Sequence, residues 1–437
     1  MKLLIFFFVL IATCSVTAQL KSGFDANEAR AMIQICNSFT YLDLYGSDIE
    51  ILPAGYKKVY TSPVYGMDNK FQIYTSGNKG VIHFRGSTSK QSSWLENLYA
   101  SMIPVKSKIL INGKEFEYQV GENRESHIHA GYMLAVCFFK DDLLKQIKGL
   151  NKEGIYNICI TGHSQGGALA QIVRAYLAYL PEKELSAKNN FKVYAFANPM
   201  IGNPSFVKEY NEKFCEPGMS YLIHNPADFV PRLPVSYNDS TFWKENLSDI
   251  ILNREEFSIQ KTALEGGLYL FKDKVNLMVR KMSQNIEKQL IKELGEIVMP
   301  AFYEDVNYVH TGNRIMLSPT EYPLELKDSS ILQSDSLMRI YKRDEHGIFE
   351  DKDLYKQPSK FLQHKPYNYY TAVLKAYFPE AYDQLGQKYF VMPEKVKRQI
   401  TRFLPYKNPL VKFSHLPLPL YGTCALRLLK QKGRMVF

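Results

Sequence analysis

Ser164, set in Gly162-His163-Ser164-Gln165-Gly166-Gly167-Ala168, is the residue of this chain best placed to act as a nucleophile. The pattern G-x-S-x-G carries chemistry when its serine sits on a sharp strand-to-helix turn that exposes the hydroxyl. That context is present, because Tyr156 to Ile160 is an apolar, strand-like run and Ala168 to Tyr179 has helical composition. Gly162 and Gly166 remove Cβ atoms where such a turn is tightest. The following helix would aim its N-terminal amides at the place where negative charge develops. A phosphate-cradling loop is the other reading of these glycines. It should carry a Lys after them, and here Ala168-Leu169-Ala170 follows.

A serine nucleophile needs a base to take its proton and a carboxylate to orient that base. In α/β-hydrolases the order along the chain is Ser, then Asp or Glu, then His. His83, His127, His129 and His163 precede or adjoin the serine, and His224 precedes the best acid. His310, His346, His364 and His415 remain. Among the acids Asp228 stands out, just past the strand-like run Ser220 to His224, in Asn225-Pro226-Ala227-Asp228-Phe229-Val230-Pro231. Catalytic groups collect beyond the carboxyl ends of such strands. An Asp beside Pro is also an ordinary turn residue, so position alone leaves both readings open.

The elements that must hold these residues are legible as alternating strands and helices. Asp25 and Glu28 form a capping-box pattern ahead of an amphipathic helix running to about Tyr45. Gly80 to Phe84 reads as a buried strand ending in Arg85-Gly86-Ser87, and Trp94, Leu95, Leu98 and Met102 follow at helical spacing. Residues 123–148 read as a longer helix, and Phe191 to Phe196 as a further strand. This alternation predicts an α/β chain with a mainly parallel sheet and helices on both faces. From 236 to 305 the pattern changes: Val275, Met278, Met282, Ile286, Leu290, Leu294 and Ile297 recur at three- and four-residue spacing. One or two amphipathic helices are expected there, packed on the core or capping the site.

Composition bounds the rest. With 46% hydrophobic and 22% charged residues, the 437-residue chain is globular rather than disordered. Residues 1–18 form a basic and then apolar stretch ending Val16-Thr17-Ala18, the pattern of a secretory signal cleaved after Ala18. A lipid anchor at Cys14 is the weaker alternative, since Thr13 is a poor residue before it. The mature chain is expected to be secreted or periplasmic. Its five remaining cysteines are odd in number and widely spaced, which favours buried free thiols. No C-x-x-C or H-E-x-x-H occurs, so neither a metal nor another cofactor is indicated. The formal charge of +10 is spread along the chain. It therefore points to no nucleic-acid partner, and it is compatible with solubility or with contact to an anionic membrane or micelle surface. The divisions expected are a signal at 1–18, a core at 19–235, a helical insertion at 236–305, a resumed core at 306–403 and a Pro-rich basic tail at 404–437.

Taken together, the motifs resemble those of the class 3 (fungal-type) lipases. His83-Phe84-Arg85-Gly86-Ser87 resembles the F-R-G-[ST] segment, and Trp94-Leu95-Glu96-Asn97-Leu98 resembles W-x-x-D-L with Asn97 in place of the usual Asp. His129-Ala130-Gly131-Tyr132 matches H-x-G-[FY]. The elbow carries Gln165 where Leu is commonest. Phe196-Ala197-Asn198-Pro199 with Gly202-Asn203 resembles F-G-x-P-x-x-G-N, and Asp228 to Pro234 matches D-x-V-P-R-L-P. The resemblance covers about 60–240 and resumes weakly at 306–370. It implies an α/β-hydrolase fold and a lipid carboxylic-ester hydrolase, with a triacylglycerol-type ester at an interface as substrate. Phospholipase A1 or short-chain and aryl esterase activity is the alternative. An inactive lipase-like module that binds lipid or a partner surface is the reading from another class. By the same resemblance, Ser164 is the nucleophile and Asp228 the orienting acid. The base falls to His364, in His364-Lys365-Pro366-Tyr367-Asn368-Tyr369-Tyr370, which looks like the later H-x-x-x-Y element, rather than to His310. Ser87 and the Gln165 amide line the oxyanion hole, and Trp94, Leu95 and Leu98 lie on the lid.

Overall fold

Side chains alternate across a strand, and here both faces of the central sheet are apolar. The computed structural model describes residues 20–45, 52–88, 90–234, 272–356 and 360–390. The signal segment, Cys14, most of the insertion before residue 272, His415 and the Pro-rich tail lie outside the described residues. Strands β1 (Lys57–Thr61), β2 (Phe71–Ser76) and β3 (Lys79–Phe84) form an antiparallel run. β4 (Met102–Pro104) pairs with β7 (His127–His129), while β5 (Lys106–Ile111) and β6 (Lys114–Gln119) make a hairpin. β8 (Asn157–His163), β9 (Asn190–Phe196), β10 (Ser220–His224), β11 (Ile297–Val298) and β12 (Arg314–Met316) follow. The main sheet runs β1-β2-β3-β8-β9-β10-β12, and every pairing from β3 onward is parallel.

The helices cover this sheet on both sides, as a buried parallel sheet requires. They are α1 (Ala26–Tyr45), α2 (Gln91–Leu98), α3 (Ala130–Lys152), α4 (Gln165–Ala178), α5 (Pro204–Tyr210), α6 (Lys272–Leu294) and α7 (Pro366–Tyr377). One face of the sheet presents Ile73, Ile82, Ile160 and Val193 to Leu134, Leu143, Leu169 and Val173 of α3 and α4. The other presents Tyr74, Val81, Cys159 and Tyr194 to Met32 and Ile33 of α1 and Val373 of α7. Each such aliphatic side chain contributes about 1.5–3 kcal/mol when fully buried. The cysteines described (Cys36, Cys137, Cys159 and Cys215) are buried free thiols.

Three local differences from the sequence reading have physical causes. The helix expected over 123–148 begins only at Ala130, because His127–His129 pairs with β4 and the His129 amide donates to Ile201 O at 3.0 Å. Asp25 caps α1 through the amides of Asn27 and Glu28, but the Glu28 carboxylate turns to the sheet, where it meets Lys192, Lys79 and Tyr194. The apolar stripe ahead of residue 298 is one helix, α6, ending at Leu294, and Ile297 belongs to β11, which adds to β5. Val279, Ile286 and Leu290 of α6 are buried, so this part of the insertion packs as core.

Candidate active site

The turn between β8 and α4 holds Ser164 at φ 60° and ψ −131°, a left-handed backbone that a side chain adopts only when its surroundings enforce it. Enforcement comes from both sides. The Ser164 amide donates to Phe196 O on β9 at 2.9 Å, and a Cβ on Gly162 would lie 2.2 Å from the Gly166 carbonyl. Ser164 is half-buried, and its hydroxyl makes no hydrogen bond among the described residues. The Gln165 amide opens α4, whose own bonding starts with Gly167 and Ala168 donating to Ser164 O. The amides of Gln165 and Gly166 therefore precede the bonding of the helix, at its positive end, with that of Gln165 next to the serine.

Beyond the carboxyl end of β10, Asp228 is buried in the turn before Val230–Arg232. Its Oδ1 accepts from the Val230 amide at 2.9 Å. Its Oδ2 accepts from His364 Nδ1 at 2.8 Å and from the Tyr369 hydroxyl at 2.7 Å. With Nδ1 so engaged, the His364 tautomer is set and Nε2 is left as the basic nitrogen. The His364 ring lies 4.6 Å, centroid to centroid, from that of His163, the residue preceding Ser164. The Asp228–His364 pair thus packs against the elbow through the ring of His163, beyond the carboxyl ends of β8 and β10.

His310 is not part of that group. Its ring stands edge-on to His224 at 5.7 Å, its Nδ1 is buried without a hydrogen-bond partner, and burial with the nearby His224 and arginines pushes its pKa down to about 4. His346 is exposed beside Glu345.

The β3–α2 connection carries the other half of the site. Ser87 Oγ donates to the Gln165 side-chain oxygen at 2.8 Å and accepts from Asn97 Nδ2 at 2.9 Å. Asn97 Oδ1 in turn accepts from the Tyr132 hydroxyl at 3.0 Å. Trp94 is half-buried and its indole donates to Thr88 O at 2.9 Å, while Leu95 is buried in the main core and Leu98 packs against it. Three participants were missing from the sequence reading of the site: Tyr369, Glu96 and Asn69. Tyr369 follows His364 by five positions, on α7, but its spacing does not announce a bond to Asp228. Glu96 reads as a surface charge, and nothing local signals Asn69.

A mainly parallel sheet with helices on both faces and a serine elbow at its carboxyl edge defines an α/β-hydrolase. The family model for lipase (class 3) matches residues 81–238. A lipase from Rhizomucor miehei is 26% identical over 179 residues, covering 40% of this chain and 43% of that protein. Lipase ZK262.3 from Caenorhabditis elegans is 30% identical over 87 residues, covering 20% and 23%. Phospholipase A1-II 1 from Oryza sativa is 26% identical over 180 residues, covering 37% and 41%. This chain therefore spans less than half the length of these curated relatives. Among solved structures, the native Rhizomucor miehei lipase propeptide complex aligns with a TM-score of 0.34 at 22% identity, covering 48% of this chain and 63% of that one. Lipase II from Rhizopus niveus aligns with a TM-score of 0.36 at 19% identity, covering 50% and 76%. Over residues 81–238 this chain is thus similar to the class 3 lipases.

Proposed function

We propose that this protein hydrolyses carboxylic esters of lipids through an acyl-enzyme on Ser164. The observation that carries the reading is the buried Asp228–His364 bond beside a serine held at positive φ at the head of a helix. In this mechanism His364 Nε2 takes the hydroxyl proton as Ser164 Oγ attacks the ester carbonyl carbon. The carbonyl electrons move onto oxygen, to which the backbone amides of Gln165 and Ser87 donate hydrogen bonds; one such donor typically lowers the barrier by about 2.7–4 kcal/mol. Collapse expels the alcohol, which takes the proton from His364. A water then repeats the sequence on the acyl-enzyme, releasing the fatty acid and restoring Ser164. Asp228 orients the imidazole and offsets its charge while it holds the proton.

Neutral acylglycerols are the first substrate class in this reading, supported by the lipase relatives. Phospholipid cleavage at the A1 position is the second, supported by the similarity to the rice phospholipase. The helix α2, with Trp94 at its centre, serves as the lid over an interface-borne substrate. Export follows from the signal pattern at 1–18, and among the described residues no helix is long and apolar enough to cross a membrane.

A serine-directed phosphonate tests the chemistry: it should label the wild type at Ser164 and leave Ser164→Ala unmodified. An unlabelled wild type would favour the inactive lipid-binding module. A panel of triacylglycerols, phospholipids and aryl esters then ranks the substrate classes. A rate jump above the aggregation point of the ester is expected for a mobile α2, and smooth saturation would argue for a fixed one.

A further inference from the structure

Gln165 does more than supply a backbone amide. Its side chain is buried at 1% exposure, and its oxygen accepts from Ser87 Oγ at 2.8 Å and Ser93 Oγ at 3.1 Å, with Asn97 Nδ2 at 3.4 Å. Its amide nitrogen reaches Asn69 Oδ1 at 3.4 Å, and Asn69 Nδ2 donates to Glu96 Oε2 at 2.5 Å. A leucine, the commonest residue at this place in the motif, could make none of these bonds. The carboxamide therefore joins the elbow, Ser87 and three residues of α2 in one buried network.

Glu96 is the unusual member. It is fully buried; Oε2 accepts from Asn69 Nδ2, and Oε1 has no hydrogen-bond partner. A buried carboxylate so poorly solvated is costly, and a second negative charge, Asp68, lies near it. Asp68 is itself paired with Arg85 at 2.9 Å and Lys90 at 2.7 Å, so those cations are already committed. From the other side, the head of α3 presents Tyr132 and His129, both held neutral by burial. No cation faces Glu96 directly among these groups.

We propose that the Gln165 carboxamide and a protonated Glu96 are positioning residues for Ser87 and for α2, so that the site works only while Glu96 keeps its proton. The inference rests on the Ser164 hydrolase reading. Burial, opposed by the hydrogen-bonded amides and reinforced by Asp68, pushes the Glu96 pKa up to about 8. Above that pH a buried negative charge enters the network at the side of the site where the oxyanion must be stabilised. In the described conformation α2 has no slack toward α3, because Glu96 O packs so closely on Gly131 that an added Cβ would come within 2.2 Å.

The test is kcat/KM against pH on a soluble short-chain ester, for wild type, Ser164→Ala, Glu96→Gln, Gln165→Leu and the Glu96/Gln165 double variant. Wild-type activity should fall by roughly tenfold or more as pH rises through the Glu96 transition, given that a lost oxyanion donor costs on the order of 10²–10³. Glu96→Gln should lack the alkaline fall across that interval, whatever its level of activity below it. Gln165→Leu should lower kcat more than it raises KM, and adding Glu96→Gln to it should change the profile no further. An unaltered alkaline fall in Glu96→Gln overturns the proposal. Should that variant fail to fold, wild-type inactivation by a neutral phosphonate supplies the second measurement. Its rate should drop over the same pH interval, and a rate that keeps climbing through it overturns the proposal. If Ser164→Ala hydrolyses the ester as well as wild type, the hydrolase reading itself fails. If Ser164→Ala is inert and Glu96→Gln keeps the alkaline fall, only the role of Glu96 fails.

Discussion

Tyr369 and His364 meet on one atom: the phenol hydroxyl and the imidazole Nδ1 both donate to Asp228 Oδ2, at 2.7 and 2.8 Å. Asp228 Oδ1 is occupied by the Val230 amide, so the carboxylate is held by three donors and cannot turn away from the histidine. Removing the phenol hydroxyl would leave the acid less firmly oriented and would also take an acceptor from the Asn225 amide. Tyr369→Phe is expected to lower kcat about tenfold with little effect on KM, since a hydrogen bond to a charged group contributes roughly 1.5–3 kcal/mol. Steady-state kinetics on a soluble ester check this, and an unchanged kcat would mean that the bond is idle.

The two histidines separate cleanly by substitution. His364→Ala should lose on the order of 10⁴-fold or more in kcat, the scale of a lost general base in a serine triad. His310→Ala should retain most of its turnover while changing thermal stability, because His310 touches His224 and not Asp228. The reverse result would move the base to His310.

Stability should fall away on both sides of a mid-range optimum. His129 and His310 have their pKa values pushed down from 6.5 to about 3 and about 4, chiefly by burial. The unfolded chain takes up these protons near pH 6.5 and the folded chain does not, so folding stability drops as pH falls from there toward 4. Glu96 acts in the opposite direction. Its pKa rises from 4.5 to about 8, so the unfolded chain releases a proton that the folded chain keeps, and stability drops as pH climbs between those values. Urea unfolding across the pH range should show both slopes. Glu96→Gln should flatten the alkaline one and His310→Gln should flatten part of the acidic one.

Gly131→Ala probes the contact between α2 and α3. The new Cβ would press on the Glu96 carbonyl, which is backbone and cannot rotate aside. A loss of about 1–3 kcal/mol is expected, the usual cost of overpacking, together with reduced kcat as α2 shifts relative to Ser87. A variant with wild-type melting temperature and activity would show that α2 moves freely.

The parts of this fold legible in the sequence are those where one local rule decides. β10 begins and ends where the apolar run Ser220 to His224 does, and the elbow announces itself through glycines that only a tight turn requires. The parts that were not legible depend on distant partners. β7 looks helical by composition and becomes a strand because β4 and Ile201 offer it hydrogen bonds. Asp228 and His364 stand out from their own surroundings, yet Tyr369 is found only once α7 is folded against β10. Glu96 is the clearest case. A glutamate on a short helix reads as solvated, and only the close approach of α3 and Asn69 makes it a buried acid.

The Ser101 amide donates to Ser283 Oγ of α6 at 3.1 Å, and β11 then joins β5, so the segment at 272–298 is stitched to the first half of the chain at two points. It cannot be exchanged as a cassette. Swapping it for a relative's loop would strip Ile286, Leu290 and Ile297 from the core and unmoor the exit of α2 together with the hairpin β5–β6. Any redesign of this region should therefore proceed by single substitutions that leave α6 and its contacts intact.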